Sequence, residues 1–569
     1  MLHAILIVMA GALADTPTTT VDNFQLPSLD GATVALQQPG VSAPFTVIAT
    51  LRADDAASRK HAEKLQELFE TYAEEGFRFL ALMADDSATA TDFAGRHEVT
   101  LPVLLDRYGY VAGRLGVPVA PAVVVVDDQL NVLFRGQLDD QFAKGSGGKL
   151  SHDYVVDALE ALLMEEDVEV RESPLPETPL FLASADNAPT FYGDVAPILY
   201  DNCTQCHRPG QIGPMPFVSF DDAQGWAPMI AEVVDEGRMP PWHADPRHGA
   251  FSNARVLTDH QKATLVRWAE TGAREGKPDD SVQPPSFVDD EWQIGKPDVI
   301  YQLPEVQKIP AEGMINYRYF SMDPGFDEDR WVEAIEVRPT AIEATHHVIC
   351  FMVPAGVDQG RWLNSPEALG DGMLGGYAPG APPEVYEPGI AKLIPAGTRF
   401  LFEVHYTAVG QPMEDQTRMG IRFARGEVKQ RHRSVGVVNP RLNIQPGDPA
   451  AEFSARFPVR DNMLLVGLTP HMHARGKSFR FELLGADEDE ILLDVPAYDF
   501  NWQHTYNLEQ PRVLEAGSNV FLTAVYDNSE GNPFNPDPSS VVRWGQQTWE
   551  EMMIGWLLYL EDLPPSEQR

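Results

Sequence analysis

Cysteine is scarce in this chain: Cys203, Cys206 and Cys350 are the only three among 569 residues. Three thiols cannot make a disulfide framework, so stability must come from packed cores. Positive charge is also in short supply. Lys and Arg number 43 against 84 Asp and Glu, a formal net charge of -41. Such a surface repels phosphate backbones and anionic lipid; it excludes nucleic acid as a partner and suits saline surroundings or a cationic one. Long apolar runs are missing as well. Beyond the N-terminus none reaches the ~20 residues of a membrane helix, so no membrane span is expected. The N-terminus carries a shorter apolar run, residues 4–13, that ends in Ala12-Leu13-Ala14. Residues 1–14 therefore read as a signal peptide, although no Lys or Arg precedes the run, and the chain is expected to be exported, periplasmic or extracellular. At roughly 100–200 residues per domain, the length suggests three to five domains.

Residues 15–165 have an α/β pattern. Residues 43–51 form an apolar strand, and Leu65, Leu68, Phe69 and Tyr72 then recur at helical spacing. Residues 77–83 make a second strand, and residues 122–126 a buried one that turns through Asp127-Asp128 into residues 132–134. This order resembles the thioredoxin-like redoxin fold, and Ala120-Pro121 falls where that family places a cis-proline. The family's C-x-x-C follows the first long strand. Here that place reads Leu51-Arg52-Ala53-Asp54-Asp55-Ala56-Ala57-Ser58, without a thiol. Thiol–disulfide exchange needs a thiolate, so the domain is expected to be redox-inactive, with a docking or structural role.

Residues 166–189 are acidic and proline-rich and read as a linker. In residues 190–276, a helix over 192–202 runs into Cys203-Thr204-Gln205-Cys206-His207. C-x-x-C-H is the attachment motif of c-type haem: the thiols add to the vinyl groups and the adjacent imidazole ligates iron. A structural zinc site or a redox dithiol are the other uses of such a pair. A helix opened by a T-x-x-Q capping box, Thr258 to Gln261, closes the expected small α-helical cytochrome c domain with Leu265, Val266 and Trp268. Met239, in Gly237-Arg238-Met239-Pro240-Pro241-Trp242, is the candidate sixth ligand, with Met215, His243 and His248 as rivals. A haem with both axial positions filled transfers electrons. Cys350, alone in an apolar strand, is expected to be a buried free thiol.

After a second linker, residues 277–294, short alternating runs are separated by Gly, Pro, Asp and Asn turns. They imply two all-β sandwich domains, jelly-roll-like, over residues 295–428 and 429–569. Three histidine segments stand out: Thr345-His346-His347-Val348, Phe402-Glu403-Val404-His405-Tyr406 and Thr469-Pro470-His471-Met472-His473. On a strand, His471 and His473 share one face and can reach one metal ion. Near the end lies Thr548-Trp549-Glu550-Glu551-Met552-Met553. Imidazoles with a thioether select copper, because soft sulfur favours Cu(I) while imidazole also holds Cu(II); zinc rarely uses Met.

In the same order, these segments resemble the copper type II, ascorbate-dependent monooxygenases, the family of peptidylglycine α-hydroxylating monooxygenase and dopamine β-monooxygenase. The family's His-His pair is similar to His346-His347, its His-Tyr to His405-Tyr406, its His-x-His to His471 and His473, and its acidic-acidic-Met to Glu550-Glu551-Met552. By that resemblance, His346, His347 and His405 hold an electron-transfer copper. His471, His473 and Met552 hold the oxygen-binding, catalytic copper, with Met553 as the alternative thioether. The resemblance implies insertion of one oxygen atom of O2 into a substrate C–H bond and reduction of the other to water. In peptide-amidating relatives, an Arg two residues before His-x-His helps bind the substrate carboxylate; here that residue is Thr469. The Asn and Tyr that follow the ligand Met in the family become Ile554 and Trp556. A small, non-peptide, less polar substrate is expected. The whole reads as an enzyme with two copper ions and one covalently attached haem c, fed by an external donor, ascorbate or a redox protein. The alternative is a non-catalytic exported electron-transfer or copper-binding protein.

Overall fold

The computed structural model describes residues 19–38, 41, 43–141, 150, 152–182, 187–279, 281–286, 292–363, 368–485 and 489–564. The expected signal peptide, residues 1–14, lies outside them. The chain divides into two compact units: residues 1–195, 227–236 and 257–276 form one, and residues 196–226, 237–256 and 277–569 the other. The stretch 190–276 is thereby shared: C-x-x-C-H and Met239 belong to the second unit, the helices Ala227–Asp235 and Asp259–Glu270 to the first. Among the described residues, no helix is long and apolar enough to cross a membrane.

The first unit is built on a five-stranded sheet of β1 (Phe45–Leu51), β2 (Phe77–Met83), β3 (Val103–Leu105), β4 (Ala122–Asp127) and β5 (Val132–Gly136), in the order β3-β2-β1-β4-β5. β1, β2 and β3 are parallel, and β4 runs antiparallel to β1 and β5. The central strands are apolar at nearly every position because both faces are covered. Val47, Ala49, Phe79 and Val123 pack with Leu65, Phe93 and Leu159 of three helices, while Ile48, Leu80 and Val124 pack with Phe24, Leu26 and Val111. Ala120–Pro121 is cis. Where the redoxin thiols would sit, Asp55 caps the helix Ala56–Tyr72 by accepting from the Ser58 amide. Fully buried Asp106 accepts from the Val111 and Ala112 amides at 2.9 and 2.8 Å. The Thr258–Gln261 capping box forms as expected.

In the second unit the strands are β6 (Val299–Gln302), β7 (Arg318–Met322), β8 (Arg330–Arg338), β9 (Thr345–Val353), β10 (Met373–Tyr377), β11 (Ile390–Ile394), β12 (Arg399–Tyr406), β13 (Arg418–Phe423), β14 (Gln430–Val438), β15 (Ala451–Pro458), β16 (Met463–His471), β17 (Gly476–Leu484), β18 (Asp489–Val495), β19 (Tyr506–Leu514), β20 (Asn519–Tyr526) and β21 (Ile554–Asp562). One sheet runs β19-β16-β21-β14-β11-β8-β13-β6, with the short strand Glu384–Val385 added on β8. Four-stranded sheets β7-β12-β9-β10 and β15-β20-β17-β18 complete the two sandwiches. The first core joins Val332, Ile335 and Ile421 to Val348, Phe400 and Phe402; the second joins Leu465, Leu468 and Leu557 to Phe479, Phe481 and Leu522. Cys350 is a buried free thiol in the first.

The halves share the long sheet through a parallel joint, Ile390↔Gln430 and Ala391↔Arg431. The segment 369–371 fastens them further. Trp556 Nε1 donates to the Leu369 carbonyl at 2.7 Å, the Ser434 hydroxyl donates to the Gly370 carbonyl, and Asp371 pairs with Arg433 at 2.6 Å. At Gly436 any β-carbon would lie 2.2 Å from the Leu369 carbonyl oxygen, so the close approach requires glycine.

Candidate metal centre

Neighbouring residues on a strand point to opposite faces, yet His346 and His347 turn to the same side. The register of β9 on β12 slips between Thr345 and His347, which makes His346 the extra residue of a bulge. His347 then lies directly opposite His405 across the ladder. The three ring centroids are 4.9–5.4 Å apart, and one ligand nitrogen from each lies within 4.8 Å of the others. His346 Nδ1 and His347 Nδ1 face each other at 3.2 Å, while His346 Nε2 and His405 Nδ1 are covered and have no partner. Burial holds the proton affinity of His346 down to about 3 and lowers that of His405 further, with the neighbouring imidazoles adding to the effect. Neutral imidazoles with lone pairs to spare are a fit donor set for a transition-metal ion. Tyr317, buried, packs on His405 at 4.4 Å, and Glu403 Oε1 lies 3.9 Å from His347 Nε2.

His471 and His473 come together as expected, with ring centroids 5.2 Å apart. The strand does not carry both, however: β16 ends at His471, and His473 lies just beyond it. The carboxylate of Glu551 replaces the ladder there, accepting from the His473 amide at 2.8 Å and the Arg475 amide at 2.7 Å. Alternation persists, so Met472 points into the core between them. His471 Nδ1 donates to Gln503 Oε1 at 2.6 Å, and His473 Nδ1 to the Glu550 carbonyl at 3.2 Å. Both tautomers are thereby set with Nε2 carrying the lone pair, the usual way in which an outer partner orients a ligand. Burial lowers both proton affinities, that of His471 to about 4. Met553 is fully buried in the core, whereas half-buried Met552 has its carbonyl held by the Tyr526 hydroxyl at 2.7 Å. Of the two thioethers, only that of Met552 is not committed to the core.

The two sets face one another within the second unit. Phe500 stacks on His346 at 4.6 Å and lies 6.1 Å from His473 and 6.3 Å from His405. Thr548 Oγ1, two residues before Glu550, approaches His405 Nε2 at 3.5 Å. Around His471 the surroundings are apolar and self-satisfied: Thr469 is hydrogen-bonded to Thr505, and Ile554 and Trp556 are buried. The nearby guanidinium of Arg475 is buried and engaged with Asn528 and the Trp549 carbonyl. Buried Glu551 has its carboxyl pushed up to about 8 by desolvation, against the two amides and Arg475. Phe500 and Gln503 carry no periodicity or motif, whereas Thr548 and Glu551 stood within a recognised segment.

The C-x-x-C-H residues follow the helix Ala196–Asn202, whose Ile198 and Leu199 are buried. Both thiols are free, and burial pushes that of Cys203 up to about 12. His207 Nδ1 donates to the Met215 carbonyl at 3.0 Å and the ring stacks on Phe217 at 4.6 Å, which leaves the lone pair on Nε2. A β-carbon on Gly213 would meet the His207 ring at 2.8 Å, so that face is closely lined by backbone. Two unpaired thiols beside an oriented imidazole fit covalent haem. Met239 is half-buried at a cis bond to Pro240. A β-carbon on Gly380, whose carbonyl accepts from Arg255, would come within 3.6 Å of Cys206 Sγ, which places the motif beside the first sandwich.

Residues 17–135 match the profile of the AhpC/TSA family. This makes the first unit's sheet that of a thioredoxin-like redoxin, an oxidoreductase class, although all three cysteines of the chain lie outside the match. No curated protein matches the chain. Similar solved structures include a hypothetical protein from Sinorhizobium meliloti 1021, 20% identical over 30% of this chain and 98% of its own, with a TM-score of 0.26. An uncharacterized conserved protein from Geobacillus kaustophilus is 25% identical over 30% of this chain and 93% of its own, with a TM-score of 0.27. Peroxidoxin BcpB from Mycobacterium tuberculosis is 25% identical over 20% of this chain and 81% of its own, with a TM-score of 0.19.

Proposed function

We propose that the second unit is a copper-dependent monooxygenase that hydroxylates a C–H bond of a small, weakly polar substrate and receives electrons from an external donor. The observation that carries this reading is the pairing of two histidine sets, one of three imidazoles and one of two, with the Phe500 ring against both. Copper at these sets would supply redox and dioxygen chemistry, and haem on Cys203, Cys206 and His207, with Met239 as its sixth ligand, would supply a one-electron relay.

The chain's own part is preorganisation. Gln503 and the Glu550 carbonyl hold His471 and His473 in one tautomer, so neither ring must reorient to donate its lone pair. Glu551 holds the backbone between them. Tyr317 and Phe500 line the rings with apolar surface and keep water from them. Engaged Thr469 and buried Trp556 offer no free cation beside His471, which supports a substrate without a carboxylate. The test is a metal and haem count on purified protein, followed by oxygen uptake with product analysis. Two copper ions and one haem per chain, with oxygen consumption coupled to a hydroxylated product, support the proposal. Full metal loading without substrate-dependent uptake makes the protein an electron-transfer or copper-binding protein instead.

A further inference from the structure

The loop between β18 and β19 makes contacts with both histidine sets. Phe500 lies flat on His346 of one set, with an interplanar angle of 21°, and edge-on to His473 of the other at 78°. Gln503 ties this ring to the second set directly: its side-chain NH2 donates to the Phe500 carbonyl at 3.2 Å while its oxygen accepts from His471. Tyr498 anchors the start of the loop, its hydroxyl donating to the Met472 carbonyl at 2.9 Å and accepting from the Met472 amide at 3.1 Å. The aromatic ring therefore moves with the His471-x-His473 segment yet rests on the other set. Five imidazoles grouped about one ring are a donor set able to close on a bridged metal pair. A phenyl ring has no donor atom and cannot bridge.

We propose that Phe500 is a partition: its ring holds the His346/His347/His405 and His471/His473 sets apart, so that each takes its own metal ion and no ligand bridges them. Phe500 is a positioning residue and touches no metal itself. The inference rests on the copper reading above and deepens it, because an unbridged pair requires the electron of one site to reach the other through protein. The physical basis is steric: removing a ring from a packed interval leaves a cavity that neighbouring groups or water then fill.

The test uses the full-length protein titrated with Cu(II), with total copper measured by elemental analysis and spin count by EPR. For the wild-type chain, all bound copper is expected to be EPR-visible as two mononuclear signals. In Phe500→Ala, EPR-visible copper is expected to fall while total copper stays the same, because a bridged Cu(II) pair couples antiferromagnetically. Phe500→Trp keeps a ring in the interval and is expected to restore the full spin count. If circular dichroism shows that Phe500→Ala does not fold, Phe500→Leu, which retains an apolar core contact but not the ring's breadth, decides by the same loss of signal. Full spin counts in the folded Ala or Leu variant overturn the partition. Fewer than two copper ions per wild-type chain overturns the copper reading itself, which is a separate and visible failure.

Discussion

The redoxin unit and the β region both bury groups that titrate or hydrogen-bond, and Asp106 in the one is completed differently from the histidine cluster in the other. Asp106 is fully buried in the first, but two backbone amides answer its carboxylate. Thr50, equally buried there, donates to the Val119 carbonyl and accepts from the Ala122 amide. These groups are satisfied by the chain and have nothing left to offer. In the β region His346 and His405 each keep a covered ring nitrogen without a partner. Buried polar groups are ordinarily paired, so ring nitrogens left open in a cluster of imidazoles make it a candidate ligand site. The contrast separates Asp106 and Thr50, which the backbone answers, from a histidine cluster whose ring nitrogens stay unpaired, the feature on which the copper proposal builds.

The sharpest way to break this contrast is to remove a ligand. His405→Ala is expected to abolish copper at the three-histidine set and leave the His471/His473 set loaded, so that elemental analysis reads one copper ion per chain where the wild type reads two. Loss of both, or of neither, would erase the distinction between the sets. Next in size is Glu551→Ala. It strands the His473 and Arg475 amides in the core, so unfolding of the second unit by urea should show a loss of about 3 kcal/mol.

A smaller effect is expected of Gln503→Leu, which frees the tautomer of His471 without touching a ligand atom. Copper affinity at that set should drop about tenfold by competitive chelation, with the other set unaffected. The most gradual effect, spread over a range of pH, tests the other side of the comparison. Burial raises the carboxyl of Asp106 from its ordinary value of 3.8 to about 7 in the folded unit, against the two amides that favour its charged form. The folded state therefore binds the proton more tightly than the unfolded one, and its contribution is present below the unfolded value and lost as pH rises through the folded value. Stability of the first unit should decline across that window by at most about 1.4 kcal/mol per pH unit, and Asp106→Asn should flatten the slope. Hydrogen exchange of the β1 and β4 amides, followed against pH, measures it.

Much of the scaffold was legible because local patterns carry it. The alternation in residues 463–468 and 479–484 matches β16 and β17, and the apolar run of residues 77–83 matches β2 residue for residue. The second-unit architecture was less legible. Two sandwiches follow from alternation, but the parallel joint of β11 and β14 that fuses them rests on two residue pairs and on Leu369 fitting against Gly436. The expected single block at 190–276 is likewise divided, because its helices Ala227–Asp235 and Asp259–Glu270 pack with the first unit, whereas the segment 237–256 packs on β18 and β19 through contacts such as Asn253 with Thr505 and Asn507. Contacts between residues some 250 apart leave no short-range signature.

What the sequence determined by itself is whatever covalent spacing enforces. Cys203, Cys206 and His207 must lie together, His471 and His473 must emerge on one side of an extended chain, and a redoxin without cysteine can exchange no disulfide. Tertiary structure decided the rest. Adjacent histidines diverge on a regular strand, and only the bulge at His346 turns both inward. His405 becomes their third partner through ladder register, which the burial of Val348, Phe402 and Val404 on one face sets. Glu551, Gln503 and Phe500 reach the histidines from 27 to 154 residues away along the chain because loops follow wherever the packed strands place their ends. Spacing along a chain fixes neighbours within a few residues, whereas the closing of apolar cores chooses which distant loops meet, and the metal sets depend on both.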